Sequence, residues 1–235
     1  MRVFAIADPH LSRANAKPMN VFGPAWKEHP EAFFERWRDV VKPEDLVLVP
    51  GDISWAMHLS DALLDLEDIA ALPGEKVLLR GNHDYWWSSV SQLRAALPPS
   101  LHALQNDAFR RGDVTVAGTR GWLCPGAFEF REHDRKIYER ELARLQLSLS
   151  SAAKLGGERL VVMLHYPPTN ARLEPSGFTE LLLAAQPDAV VFGHIHSEET
   201  VPLPDLGKTE VHFVAADALR FTPKLILESR TAVSG

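Results

Sequence analysis

The chain has a single cysteine, Cys124, among 235 residues. No internal disulfide can form, so stability must come from a packed core, and a thiol used this sparingly fits a reducing compartment. Long apolar runs are also missing: no stretch approaches the roughly 18 consecutive apolar residues of a membrane-spanning helix. The start, "MRVFAIADPH", shows neither a basic n-region nor an apolar h-region, so a cytoplasmic location is the expectation. Basic charge is not in excess. Twenty-five Lys and Arg stand against 31 Asp and Glu, for a net charge of -6; that removes the broad positive footprint of a nucleic-acid or membrane binder and leaves only a local basic groove open. Internal repeats, low-complexity tracts and Pro-, Gly- or Ser-rich linkers are absent as well, and residues 1–235 are expected to form a single domain.

What the chain does have is a series of short apolar runs, several of which end in polar or glycine-containing tips. These are "VFAIAD" from Val3, "LVLVPGD" from Leu46, "KVLLRGNHD" from Lys76, "VTVAGT" from Val114, "RLVVMLHYPP" from Arg159 and "AVVFGHIH" from Ala189, followed by "EVHFVAAD" and "KLILES". Between many of them lie stretches with helical apolar periodicity: Glu31 to Val41, Ser60 to Ala71, Ser88 to Leu97, His133 to Leu155 and Ser176 to Ala185. Strands alternating with helices predict a layered α/β fold. Open α/β sheets bind ligands at the carboxyl ends of their strands, so the tips are the places to search.

The tips hold a consistent chemistry. Asp8 and His10 follow the first run with one residue between them, a spacing that aims both side chains the same way on an extended chain. Asp52 follows the second run and Asn82 and His83 the third; His165 ends the fifth, and His194 and His196 alternate after the sixth. Any one of these pairs is weak evidence, because Asn, Asp and Gly are ordinary turn residues. Together they form a set of imidazole nitrogens and carboxylate or amide oxygens without thiolate. That set suits Mn, Fe, Zn, Co or Ni rather than a structural cysteine-bound zinc.

"DPH", "GD", "GNHD", the histidine of "LHYPP" and "GHIH" match in order the five motifs of the calcineurin-like metallophosphoesterases, which the chain resembles from Asp8 to His196. The resemblance implies a four-layer α/β/β/α sandwich of two mixed β-sheets flanked by helices, with a two-metal centre where strand ends meet. It implies that Asp8, His10, Asp52 and His196 hold one metal, that Asp52 bridges to a second, and that Asn82, His165 and His194 complete the second. His83 then matches the family's catalytic histidine rather than a ligand. The implied cofactors are two divalent transition-metal ions, Mn, Fe or Zn foremost. The implied activity is hydrolysis of a small phosphate ester by a metal-bridging hydroxide, with His83 protonating the leaving oxygen. "GNHDYWW", "GDISWAMHL", "FGPAWKEHP" and "GTRGW" more closely resemble a bacterial branch of predicted phosphohydrolases, a likeness that supplies no substrate.

The chain departs from one branch of that family. Protein phosphatases of the family carry Asp-Arg-Gly after the second motif and Glu with a nearby Arg after the third, whereas "GDISWAMHL" and "GNHDYWW" stand here. The missing arginines favour a small phosphodiester or nucleotide over a phosphoprotein. A phosphomonoesterase or a nuclease with the same centre is the alternative, and a non-catalytic scaffold a further one.

Around the motifs other roles stay open. Asp84 can cap a helix or orient a neighbouring histidine. Tyr85, Trp86 and Trp87 can form a stacking wall or join the core. Trp55 and His58 can line the cleft, and Lys17, Arg80 and Arg120 are candidate phosphate contacts. The glycine of "GNHD" is expected to let the strand turn into the site. Two irregular stretches, "LSRANAKPMNVFGPAWKEHP" and "RGWLCPGAFEFREHD", can each wall a cleft. His29, His102, His133 and His212 match no motif. The oligomeric state, a homodimer included, cannot be read from the sequence.

Overall fold

The computed structural model describes residues 1–196 and 201–229. In the first half, β1 (Arg2–Ala5), β2 (Leu46–Pro50), β3 (Glu75–Leu79) and β4 (Leu101–Ala103) alternate with α1 (His29–Val40), α2 (Leu59–Ala70) and α3 (Val90–Ala96). The second half contains β5 (Phe109–Arg111), β6 (Val114–Thr119), α4 (Glu132–Leu155), β7 (Arg159–Leu164), α5 (Gly177–Ala185), β8 (Ala189–Phe192), β9 (Glu210–Phe213) and β10 (Lys224–Glu228). The last strand returns to the first sheet, whose order is β10-β1-β2-β3-β4; the second runs β5-β6-β7-β8-β9. Within each sheet one edge strand, β10 or β5, is antiparallel and the others are parallel. Both sheets are therefore mixed, as expected.

The alternation of side chains along the strands explains the four layers. Phe4, Val47, Val49 and Leu78 face α1, α2 and α3 and pack on Phe33, Trp37, Leu66 and Leu93. Their neighbours Val3, Ala5, Leu46, Leu48 and Val77 face the other way and meet Val114, Val116, Val161, Met163 and Val191 of the second sheet. On the far side of that sheet, Ala117, Val162, Leu164 and Val190 pack under Tyr138, Leu145, Phe178 and Leu182 of α4 and α5. Strands covered on both faces have no polar face to show, hence the unbroken apolar runs. Lys76 is the exception: its chain is buried and its Nζ donates to the carbonyls of Ala70 and Leu72 at the end of α2.

Helix starts follow local chemistry. Ser176 Oγ accepts from the N–H groups of Phe178 and Thr179, and Thr179 Oγ1 accepts in return from Ser176 N–H at 2.8 Å. Two short edge strands, β4 and β5, were not expected; three residues are too few to show a period. None of the described helices is long and apolar enough to cross a membrane.

Where the chain leaves β1, backbone bonds tie the sheets to each other. Ala7 N–H donates to Val214 O at 2.8 Å and Ala216 N–H to Ala7 O at 2.9 Å, a parallel bridge between Ala7 and Ala215. The carboxyl ends of the parallel strands in both sheets therefore converge at one end of the sandwich.

Candidate metal centre

The residues singled out from the sequence meet at that end. Asp8, His10, Asp52 and His194 all have left-handed backbone, with φ of 58°, 46°, 52° and 72°. A side-chain-bearing residue held there stores of the order of 1–3 kcal/mol of strain and persists only where its surroundings fix it. Here they do. Asp8 N–H donates to Gly51 O at 3.0 Å and His10 N–H to Asp52 O at 3.1 Å, while Asp8 Oδ2 accepts from His194 N–H at 2.9 Å and Asp52 Oδ1 from His83 N–H at 2.8 Å. Asp8 and His10 therefore converge through two left-handed turns, not through the extended-chain alternation expected from their spacing.

The glycine of "GNHD" also works differently from expectation. Gly81 is not in the left-handed region. It is needed for space, because a Cβ there would strike the carboxylate and backbone of Asp52; at Gly193 a Cβ would strike Asp8.

Two groups of ligand atoms result, each gathered within 4.8 Å: Asp8, His10 and His196 in one, Asp52, His165 and His194 in the other. Asp52 lies between them, with Oδ2 3.8 Å from His10 Nε2 and Oδ1 3.5 Å from His165 Nε2. Asn82 Oδ1 joins the second group, 2.7 Å from His165 Nε2.

The hydrogen bonding here is incomplete in a way that calls for a cation. His165 Nδ1 lies 3.0 Å from Pro50 O, a carbonyl that can only accept, so the proton of the neutral ring sits on Nδ1. Its bare Nε2 then faces the oxygens of Asn82 and Asp52, which are acceptors too. His10 Nε2 and His196 Nε2 face each other at 3.1 Å. Asp8 Oδ1 is buried without a partner, although buried polar atoms are nearly always satisfied. A positive ion between these lone pairs would satisfy each of them, so the residues fit a metal.

Burial sets the charge state of the bare chain. Desolvation pushes the Asp8 carboxyl well above the usual range, with the charge of Asp52 adding to it. The same effect lowers His10, brings His165 down to about 3 and His194 to about 2. Burial thus holds these imidazoles toward the neutral form, the one that can bind a cation.

His83 lies beside both groups rather than in either. Its half-buried ring lies 4.5 Å from Trp55 and 5.9 Å from His10 between centroids, and Tyr85 Oη is 3.5 Å from its Nδ1. Trp55 in turn stacks on His10 at 4.8 Å and carries Lys17 Nζ 3.4 Å above its ring. Both residues thus stand at the site. His58 is exposed at the start of α2.

The structure settles several open roles. Asp84 neither caps a helix, which Ser89 does for α3, nor touches the His83 ring. Its carboxylate accepts from Ile53 N–H (2.9 Å), Ser54 N–H (3.2 Å), Gly81 N–H (2.7 Å) and Trp86 Nε1 (3.1 Å), pinning the Asp52 loop to the Asn82 loop. Burial, with the nearby Asp52 charge, lifts its pKa to about 7. Trp86 and Trp87 are core residues and Tyr85 alone is exposed. Arg120 pairs with Glu141 of α4 at 3.3 Å and stacks on Trp122; Arg80 lines the same small hollow. Of the unmatched histidines, His102, His133 and His212 pair with Glu75, Asp134 and Glu210.

His29 and Asp217 were not anticipated. His29 Nε2 reaches the His10 carbonyl at 3.3 Å, and Asp217 Oδ2 lies 3.4 Å from His196 Nδ1, the kind of carboxylate contact that orients a ligating imidazole. Both irregular stretches wall the site. The first brings Trp26 edge-on to His196 at 5.4 Å, and the second borders a groove that begins at His194.

A family model described as calcineurin-like phosphoesterase matches residues 1–198. Among solved structures, a phosphopantetheinyl hydrolase from Mycobacterium tuberculosis is similar at 13% identity and TM-score 0.56, covering 100% of this chain and 98% of that one. A protein of unknown function from Aquifex aeolicus is similar at 16% identity and TM-score 0.48, covering 95% and 94%. No curated protein matches.

Proposed function

The chain belongs to the calcineurin-like phosphoesterase family and is a metal-dependent phosphoester hydrolase; from that premise we propose that it uses two divalent transition-metal ions to cleave a small phosphodiester or nucleotide. Asp8, His10, His196 and Asp52 would hold one ion, and Asp52, Asn82, His165 and His194 the other. The observation that carries this reading is the position of Asp52, whose two oxygens face His10 of one group and His165 of the other, both buried imidazoles.

When bound, such ions acidify a shared water and offset charge on the attacking and leaving oxygens. The protein's own residues supply the rest. Only two carboxylates join four imidazoles and a carboxamide, so a centre holding two divalent ions stays net positive and attracts an anionic ester. Asp84 fixes the spacing of Asp52 and Asn82 through backbone N–H groups. His83, flanked by Trp55 and Tyr85 outside the ligand groups, would give a proton to the departing oxygen. Arg120 is paired with Glu141 and Arg80 lines the same hollow, so these two do not offer the free guanidinium pair that grips a monoester dianion, which supports a diester. The lone thiol Cys124 fits a cytoplasmic enzyme, and residues 1–235 are read as one catalytic domain.

The test is a substrate panel of diesters, cyclic nucleotides, monoesters and nucleotide di- and triphosphates, run under Mn²⁺, Fe²⁺, Zn²⁺ and Ni²⁺ with metal content measured in parallel. Turnover of diesters such as bis(p-nitrophenyl) phosphate by protein holding more than one ion per chain is expected. Full activity at one ion per chain would overturn the two-metal reading.

A further inference from the structure

The groove that begins at His194 has a volume of about 520 Å³, within the range of small-molecule sites. Its walls include Trp122, Leu123, Phe128, Tyr166, Pro167 and Ile195, and among the described residues no lysine or arginine lines it. It is built rather than incidental. Trp122 is held by an Nε1 bond to Asp134 at 2.8 Å, and Tyr166 packs between Trp122, 5.0 Å away, and His194, 3.8 Å away. The chain opposite is pinned where Asn170 Nδ2 donates to Pro125 O and Arg172 to Gly126 O, each at 3.0 Å. Phe128, 88% exposed, stands at the mouth.

The place of this groove relative to His83 carries the inference. The ring neighbours of His83 are His10, Trp55 and Tyr85, and none of them lines the groove. If His83 serves the leaving oxygen, the leaving group lies on its side of the centre, and the groove opens on the side of His194. A monoester has nothing to place there. We propose that the groove takes the ester substituent that stays on phosphorus, and that the substrate is a phosphodiester whose retained arm is an uncharged apolar alkyl or aryl group. Without a cation in the groove, an arm bearing further phosphate is disfavoured. The inference rests on the hydrolase reading above and narrows it to one class.

A series of p-nitrophenyl alkyl phosphates, methyl through octyl, tests it because the leaving group stays constant while the retained arm grows. In the Mn²⁺-loaded protein kcat/KM should rise about fourfold for each methylene that the groove takes from water, then level off. Ala171→Trp, a rim substitution that fills the groove, should flatten the slope. Phe128→Gln, at a side chain too exposed to matter for folding, should bring the plateau at a shorter chain. A misfolded variant would lower every rate in parallel without changing the slope. A flat series in the wild-type protein, or an unaltered slope and plateau in both variants at an undiminished rate for the methyl ester, would overturn the groove's role. Failure to cleave even the methyl ester would instead strike the diesterase reading.

Discussion

The two sheets contribute unequally to the site. The first supplies both carboxylates and the carboxamide, Asp8, Asp52 and Asn82, together with His10 and His83; the second supplies only imidazoles, His165, His194 and His196. Yet each group of candidate ligands draws on both sheets. An ion in either position would join the layers, so metal affinity and packing between the sheets become one quantity. Burial acts oppositely on the two chemistries: the acids Asp8 and Asp52 of the first sheet are pushed up, and His165 and His194 of the second, like His10 of the first, are pushed down, so each tends to neutrality without metal.

The strongest way to break this arrangement is at the residue shared by both groups. Asp52→Asn should lower turnover by at least about 10³-fold while circular dichroism shows the fold intact, because several kcal/mol of transition-state stabilisation rests on the paired ions; full metal-dependent activity would show that Asp52 does not bridge. His83→Ala, which leaves the ligands of both sheets in place, should retain metal and lose about 10² to 10⁴ in rate with alkoxide leaving groups, and much less with p-nitrophenolate. A loss independent of leaving-group pKa would remove the proton-donor role.

Joining the layers predicts a thermal effect. Stripping metal with a chelator should destabilise the protein by about 2.7 kcal/mol for each ion lost, relative to metal at a hundred times its dissociation constant, seen as a lower midpoint in calorimetry. An unchanged midpoint would mean that ions do not link the sheets. Asp84→Asn puts an amide donor where four N–H groups converge and should reduce stability by about 1–3 kcal/mol and metal affinity by about 10- to 100-fold.

Protons give the finest measure of the contrast. Burial raises the Asp8 carboxyl and an adjacent cation favours its ionised form, so metal uptake on the acid side of neutrality should release protons and tighten as pH rises. His165 and His194, at about 3 and about 2, have no proton to lose there. Titration calorimetry in buffers of different ionisation enthalpy would detect the release, and finding none would contradict the raised Asp8.

The same contrast explains what could be read from the chain. Strands buried on both faces must be apolar throughout, so eight of the ten were visible, within a residue or two at their ends. The order of Asp8, Asp52, Asn82, His165 and His194 was legible because parallel strands place their carboxyl ends together. The supporting contacts were not. Asp84 acts through the N–H groups of Ile53 and Ser54, His196 is met by Asp217, and His29 reaches the backbone of His10; no local pattern announces such partners. Arg120 looked available in sequence but is occupied by α4, whose long helix places Glu141 against it.

The backbone bridge at Ala7 bears on how the molecule can move. Sheets bonded to each other beside the candidate centre resist separation there, so the amides of Ala7 and Ala216 should be among the last in the protein to trade hydrogen for deuterium.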